Sequence, residues 1–143
     1  MEQGEGGAGK RLEENADALR YLYQLYQGQY SALVNEMNRS LEYIRELNDA
    51  QKTLESMGSV AGRGSLVHAG ASVYIEARIG DGGKVLVGIG GGFMAEKSLE
   101  EAKGFISGRI GRTTSVFNGL AKSRKDLGRA IMEISYRIEA LGR

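Results

Sequence analysis

The 143-residue chain has no cysteine, no proline and no tryptophan, and a single histidine, His68. Without cysteine there is no disulfide framework, no thiol nucleophile and no thiolate metal site, which fits a reducing compartment. One histidine gives too little for a histidine-based metal site or a catalytic triad. No apolar run reaches the ~18 residues of a membrane span, and the N-terminus lacks the basic-then-apolar order of a signal peptide. The chain therefore reads as soluble and cytoplasmic, with no membrane partner. The absence of proline removes the strongest helix breaker, so long uninterrupted helices are permitted.

Glycine is plentiful: 22 residues, of which 11 fall between Gly58 and Gly92. Charge is nearly balanced overall, at +1, but unevenly distributed. Leu12 to Met57 carries eight acidic and four basic side chains, net −4, whereas Glu96 to Arg143 carries six acidic and ten basic, net +4. Two long segments of opposite sign read as mutual partners.

Residues 1–11, "MEQGEGGAGKR", offer almost nothing to bury and read as a disordered arm. Residues 12–57 read as one helix. Leu19, Tyr26, Leu33, Leu47 and Leu54 recur at multiples of seven. Leu22, Tyr43, Ala50 and Met57 occupy the position three further on, with Gln29 and Glu36 as interruptions. Tyr23, Tyr30, Met37 and Ile44 broaden the stripe on one side. Residues 96–143 repeat the pattern more regularly: Ile106, Ile110, Thr113, Phe117, Leu120, Arg124, Leu127, Ile131, Ile134, Ile138 and Leu141 alternate in steps of four and three. Such repetition is the signature of a coiled coil. Glycines 104, 108, 111, 119 and 128 each cost this helix about 0.8–1 kcal/mol relative to alanine, so it needs the acidic first helix as a packing partner. The two are expected antiparallel, with Leu54 near Ala102 and Leu19 near Ile138.

Between them, residues 58–95 alternate like strands. Val73, Ile75, Ala77 and Ile79 interleave with polar neighbours, and Val85, Val87 and Ile89 do the same after the turn-forming "GDGG" at Gly80 to Gly83. Shorter pieces at Ser65 to Val67 and Phe93 to Ala95 supply a second hairpin. The expected fold is α+β: a long antiparallel two-helix coiled coil with a small β-hairpin module between the helices. Four short strands leave apolar faces and open edges, so the module is expected to assemble with other chains, with Val73, Ile75, Val85, Val87 and Ile89 at the oligomer interface.

Nucleotide motifs fail in their details. Gly4 to Lys10 has the spacing of a phosphate-binding loop, but Arg11 stands where Ser or Thr should hold magnesium, and no strand precedes it. Gly88, Gly90, Gly91 and Gly92 follow a strand, yet Phe93 replaces the last glycine of a dinucleotide fingerprint and no second parallel strand follows. No paired catalytic groups converge, and the chain reads as a non-enzyme without cofactor or metal. His68 reads as a turn or packing residue. Lys122, Arg124, Lys125 and Arg129 read as a solvated or salt-bridged flank rather than a nucleic-acid patch, because no aromatic residues interleave with them. Asn38-Arg39-Ser40 matches a glycosylation acceptor but lies mid-helix.

The stretch Leu19 to Tyr30 holds seven large apolar or aromatic side chains, more than one helical seam can bury. Tyr21 and Leu25 are left on the outer side, near Ile131, Ile134, Tyr136, Ile138 and Leu141 of the second helix. A closed seam and an exposed surface for apolar segments of other proteins both remain open readings.

Ser65 to Ala102, "SLVHAGASVYIEARIGDGGKVLVGIGGGFMAEKSLEEA", resembles the paired hairpins of the α-type subunit of archaeal prefoldin. His68 stands near where many relatives carry proline. The resemblance covers nearly the whole chain after residue 11. It implies a chaperone subunit in a hexamer of two α and four β chains, whose strands form a multi-chain double β-barrel. Its coiled-coil ends would hold unfolded client proteins without ATP and deliver them to a group II chaperonin. Carried onto this sequence, client contacts are expected near Leu12, Leu19, Leu22 and Tyr23, with Ile134, Ile138 and Leu141 opposite. The competing expectation is a structural coiled-coil adaptor subunit binding one folded partner.

Overall fold

A computed structural model describes residues 5–81 and 83–142, with side chains from residue 9 onward except those of 10, 12 and 13. Helix α1 (Glu5–Val60) is followed by strands β1 (Gly64–Gly70), β2 (Val73–Arg78), β3 (Lys84–Gly90) and β4 (Phe93–Ser98), then helix α2 (Leu99–Leu141). The helix, sheet, helix order matches the expected α+β architecture, but boundaries move. Residues 5–11, expected as a disordered arm, extend α1 instead. Once a helix is nucleated, each added residue gains a hydrogen bond, and Glu5, Ala8, Lys10 and Arg11 are good helix formers, set against three intervening glycines that each cost about 1 kcal/mol. Helical backbone there also leaves no loop for a phosphate. Residues 1–4 of the expected arm lie outside the described residues.

Helix α2 starts at Leu99, not residue 96, because Ser98 supplies its cap. The Ser98 Oγ accepts from the Glu101 backbone N–H at 3.1 Å, and Ser98 with Glu101 has the spacing of a capping box. Glu100 and Glu101 place negative charge in the first turn, where the helix dipole favours it.

The chain forms two compact units. One is Glu42–Thr114, containing both hairpins and the helix segments that flank them. Its core is Leu47, Ala102 and Ile106, all buried, and burying each large side chain contributes roughly 1.5–3 kcal/mol. Gln51 Nε2 donates to Ser107 Oγ at 2.8 Å across the two helices. Gln51 Oε1 is buried and has no hydrogen-bond partner among the described residues.

The second unit comprises the helix segments up to Leu41 and from Ser115 onward. Met37 and Ile134 are its buried apolar residues. Tyr30 packs on Gly128: its Cε2 lies 3.7 Å from where a Cβ would stand. In both units the segments pack antiparallel, within a few residues of the expected pairing.

The seam of α1 draws on both of the expected positions. Residues at the heptad position of Leu19, Leu33, Leu47 and Leu54 face inward; three residues on, Leu22, Ala50 and Met57 are half-buried, and the position four residues on carries the rest of the seam. Tyr23, Tyr30, Ile44 and Gln51 are half-buried and Met37 is buried, while Gln29, Glu36 and Tyr43 are exposed. Gln29 and Glu36 interrupt the position three residues on, as expected, and Tyr43 is exposed with them. On α2 the four-three stripe is buried or half-buried except at Arg124 and Leu141.

The hairpins also pair differently. The "GDGG" segment links two hairpins instead of closing one, and the outer strands do not pair together. β1 pairs antiparallel with β2 and β3 with β4, as two separate two-stranded sheets. The turns are Ala71-Ser72 and Gly91-Gly92, each with both residues at positive φ (44° and 64°; 60° and 80°). Those signs at both central residues are what a two-residue type I′ hairpin needs to match strand twist. The two hairpins are one design repeated at 20-residue spacing: Leu66 corresponds to Leu86, Gly70 to Gly90, and Glu76 to Glu96. Both shift register just before the turn, between His68 and Gly70 and between Gly88 and Gly90.

Candidate interaction surfaces

Side chains alternate across a strand, so the register defines the faces of each hairpin. In the first hairpin Leu66 opposes Glu76 and His68 opposes Tyr74 on one face, while Val67 opposes Ile75 on the other. The His68 and Tyr74 rings meet edge to face, 5.3 Å between centroids. Leu66, Val67, Val73, Tyr74 and Ile75 are all exposed, which leaves apolar side chains open on both faces. An open groove of about 670 Å³ lies along Gly64, Ser65, Leu66, Glu76, Ala77 and Arg78.

The second hairpin is anchored on one side. Val85 opposes Lys97 and Val87 opposes Ala95, and the Lys97 Nζ sits 5.3 Å from the centroid of the Phe105 ring on α2. Arg109 of α2 stacks on the same ring at 4.4 Å and donates from Nη2 to the Gly88 carbonyl at 3.0 Å. The face of Val85 and Val87 is thus turned toward its own helix, and both are half-buried. Of the expected interface residues, Val73, Ile75 and Ile89 are exposed, whereas Val85 and Val87 are partly used within the chain. The opposite face, with Leu86 and Met94, is open, and Phe93 beside the turn is 73% exposed. Sequence reasoning missed Leu66, Val67, Tyr74, Leu86, Phe93 and Met94 as surface residues. The 20-residue repeat was the signal that could have found them, since it assigns each outer strand the same role as its copy.

A second surface lies in the other unit, toward the start of α1 and the end of α2. Asn15, Ala18, Leu19 and Leu22 of α1 face Arg137, Ala140 and Leu141 of α2 across an open groove of about 530 Å³. Leu19, Leu22, Tyr23 and Ile138 are half-buried and Leu141 is exposed. The Tyr23 hydroxyl accepts from Gln27 Nε2 at 2.9 Å. Ile134, expected among the contact residues, is only 6% exposed; its four-three spacing seats it in the seam instead. The Leu12 side chain lies outside those described. Tyr21 and Leu25 face outward as expected, joined by exposed Met132 and Tyr136. Arg137 is held by Glu133 at 2.8 Å.

Among the described residues no group of three or more histidine or carboxylate side chains is placed to hold a metal ion. No described helix is long and apolar enough to cross a membrane. Gly90, Gly91 and Gly92 are all at positive φ in the β3–β4 turn, and antiparallel strands flank them, so they do not form the phosphate-binding turn of a parallel βαβ unit.

Comparison with known proteins agrees with this architecture. Residues 26–143 match the family model described as prefoldin subunit. The chain is 29% identical over 121 residues to prefoldin subunit alpha of Methanoculleus marisnigri, covering 82% of this chain and 81% of that one. It is 31% identical over 99 residues to prefoldin subunit alpha of Thermococcus onnurineus, covering 68% and 67%. Among solved structures, the filamentous PFD of Methanocaldococcus jannaschii superposes with a TM-score of 0.59 at 28% identity, covering 85% of this chain and 96% of that one. Two long helices that hold a pair of β-hairpins between them, a sequence match over most of the chain and a matching solved fold agree: the chain belongs to the prefoldin family.

Proposed function

We propose that this chain is a subunit of an ATP-independent holdase, which captures unfolded proteins at the ends of its coiled coil and passes them to a group II chaperonin. A general chaperone role follows from family membership. The observation that carries the finer reading is the groove lined by Leu19, Leu22 and Leu141, with Tyr21, Leu25 and Tyr136 exposed on the same helix segments. Open apolar surface of this kind fits segments of many sequences, because the hydrophobic effect is non-directional. Several such ends in one assembly would hold a client by avidity rather than by a fixed pocket. The hairpins supply the means of assembly. Their apolar faces and open edges support pairing with other subunits, in the proposed arrangement two α chains with four β-type chains around a shared β-barrel. ATP has no role in this scheme; of the two glycine-rich segments with nucleotide-like spacing, one is helical from Glu5 onward and the other lies at a hairpin turn.

The test is light scattering from a panel of unrelated denatured proteins diluted into buffer with the chain, alone and with a β-type partner, and without nucleotide. Suppression for most of the panel supports the holdase. Suppression for none, with a stable oligomer formed, favours the adaptor that binds one folded partner.

A further inference from the structure

The basic cluster of α2 does not have the partner that the opposite charges of the two helices promise. Lys122, Arg124, Lys125 and Arg129 are all exposed, and none forms an ion pair or hydrogen bond among the described residues. Asp126 is within helical reach of Lys122 and Arg129 but pairs with neither. The reason lies in the opposite helix. Tyr30 packs on Gly128, so the part of α1 facing this cluster is the stretch around Tyr30. Residues 21–35 contain no charged side chain at all. The carboxylates of α1 lie on either side of that stretch, at Asp17 and before it, and from Glu36 onward. Glu36 is already paired with Arg39 at 3.8 Å. The cluster is therefore uncompensated among the described residues.

It also has shape. Lys122, Arg124 and Lys125 border an open groove of about 570 Å³ whose floor is Tyr30, Ala121 and Gly128. Arg124 falls on the four-three stripe yet stays exposed, so its guanidinium is available at the groove rather than spent in the seam. Four cations within eight residues cover about 10 Å of helix. That length matches three or four residues of extended polypeptide at about 3.3 Å each.

We infer that this groove is a docking site for an acidic polypeptide segment of a partner protein, separate from the apolar groove at the helix ends. Charge complementarity selects the occupant, since like-charged or neutral segments gain nothing from four unpaired cations. A nucleic acid fits less well. One aromatic side chain, itself half-buried against Gly128, gives no stacking platform for successive bases.

The site is tested with the full chain in its assembled form, by fluorescence anisotropy of a labelled glutamate homopeptide, a glutamine homopeptide and an oligothymidylate. The glutamate peptide binds, weakens with added salt, and loses about tenfold or more in affinity in the Lys122→Gln/Arg124→Gln/Lys125→Gln/Arg129→Gln variant, as expected for several exposed charge contacts. The charge-retaining Arg124→Lys/Arg129→Lys variant keeps the binding, which separates loss of charge from loss of fold. The inference is overturned if the glutamate peptide binds no better than the glutamine peptide, if the four-fold glutamine variant binds it equally well, or if oligothymidylate binds more tightly.

Discussion

The guanidinium of Arg109 lies 4.4 Å from the centroid of the Phe105 ring and at the same time donates to the Gly88 carbonyl at 3.0 Å. One side chain thus ties strand β3 to helix α2, with Lys97 of β4 on the same ring. A planar, permanently charged group is needed for stacking and directed donation together. Arg109→Ala is expected to cost about 1–2 kcal/mol, from a cation–π contact and a part-buried charged hydrogen bond. Amide hydrogen exchange should accelerate in Lys84–Ser98 more than in Gly64–Arg78. Arg109→Lys, which keeps charge but loses the planar fork, should fall between.

The two hairpin turns differ in one respect that makes a second prediction. Gly91 and Gly92 adopt positive φ without steric penalty, but Ala71 and Ser72 adopt the same region with side chains. Left-handed backbone costs a side-chain-bearing residue roughly 1–2 kcal/mol. Ser72→Gly is expected to stabilise the first hairpin by about 1 kcal/mol, less the extra entropy glycine gives the unfolded chain. Thermal unfolding of the assembled protein should show a higher midpoint; a lower one would mean that the turn is held by contacts to other subunits.

The helix glycines make the third. Around Gly104, Gly111 and Gly119 nothing lies within 4 Å of where a Cβ would stand. Each change to alanine should therefore stabilise the isolated subunit by about 0.5–1 kcal/mol without touching a neighbour. Denaturant midpoints of the three single variants check this, and a loss of stability would reveal packing against other subunits.

Much of this was legible from periodicity. The four-three stripe of α2 located its buried face because nearly every stripe position is apolar, with Ile106 and Ile134 among the most buried residues of the chain. The stripe of α1 was legible at both positions, with Leu22, Ala50 and Met57 three after the heptad position and Tyr23 and Ile44 four after it all half-buried, but Tyr43, read into the stripe, is exposed. Gln51 was not legible as a seam residue, because a polar side chain is accepted there through its hydrogen bond to Ser107. Hairpin pairing was misassigned because "GDGG" carries more turn-forming glycine than "GAS". The deciding feature was instead that Gly70 and Gly90 occupy equivalent places in a 20-residue repeat. Whether an apolar residue at the helix ends sits in the seam or in the groove depends on the facing helix. Ile134 and Leu141 look alike in sequence and differ in exposure.

That last distinction gives the measurement closest to the central claim. Leu19→Ser/Leu22→Ser/Leu141→Ser alters the groove, while Ile134→Ser strikes a buried side chain and should cost about 2–5 kcal/mol as a core truncation does. The decisive experiment is suppression of aggregation of a denatured client by the assembled triple variant, with its oligomeric size measured in the same sample. The holdase reading predicts an intact assembly that no longer suppresses scattering. An intact assembly that still suppresses it as well as the unaltered protein would contradict client capture at this groove.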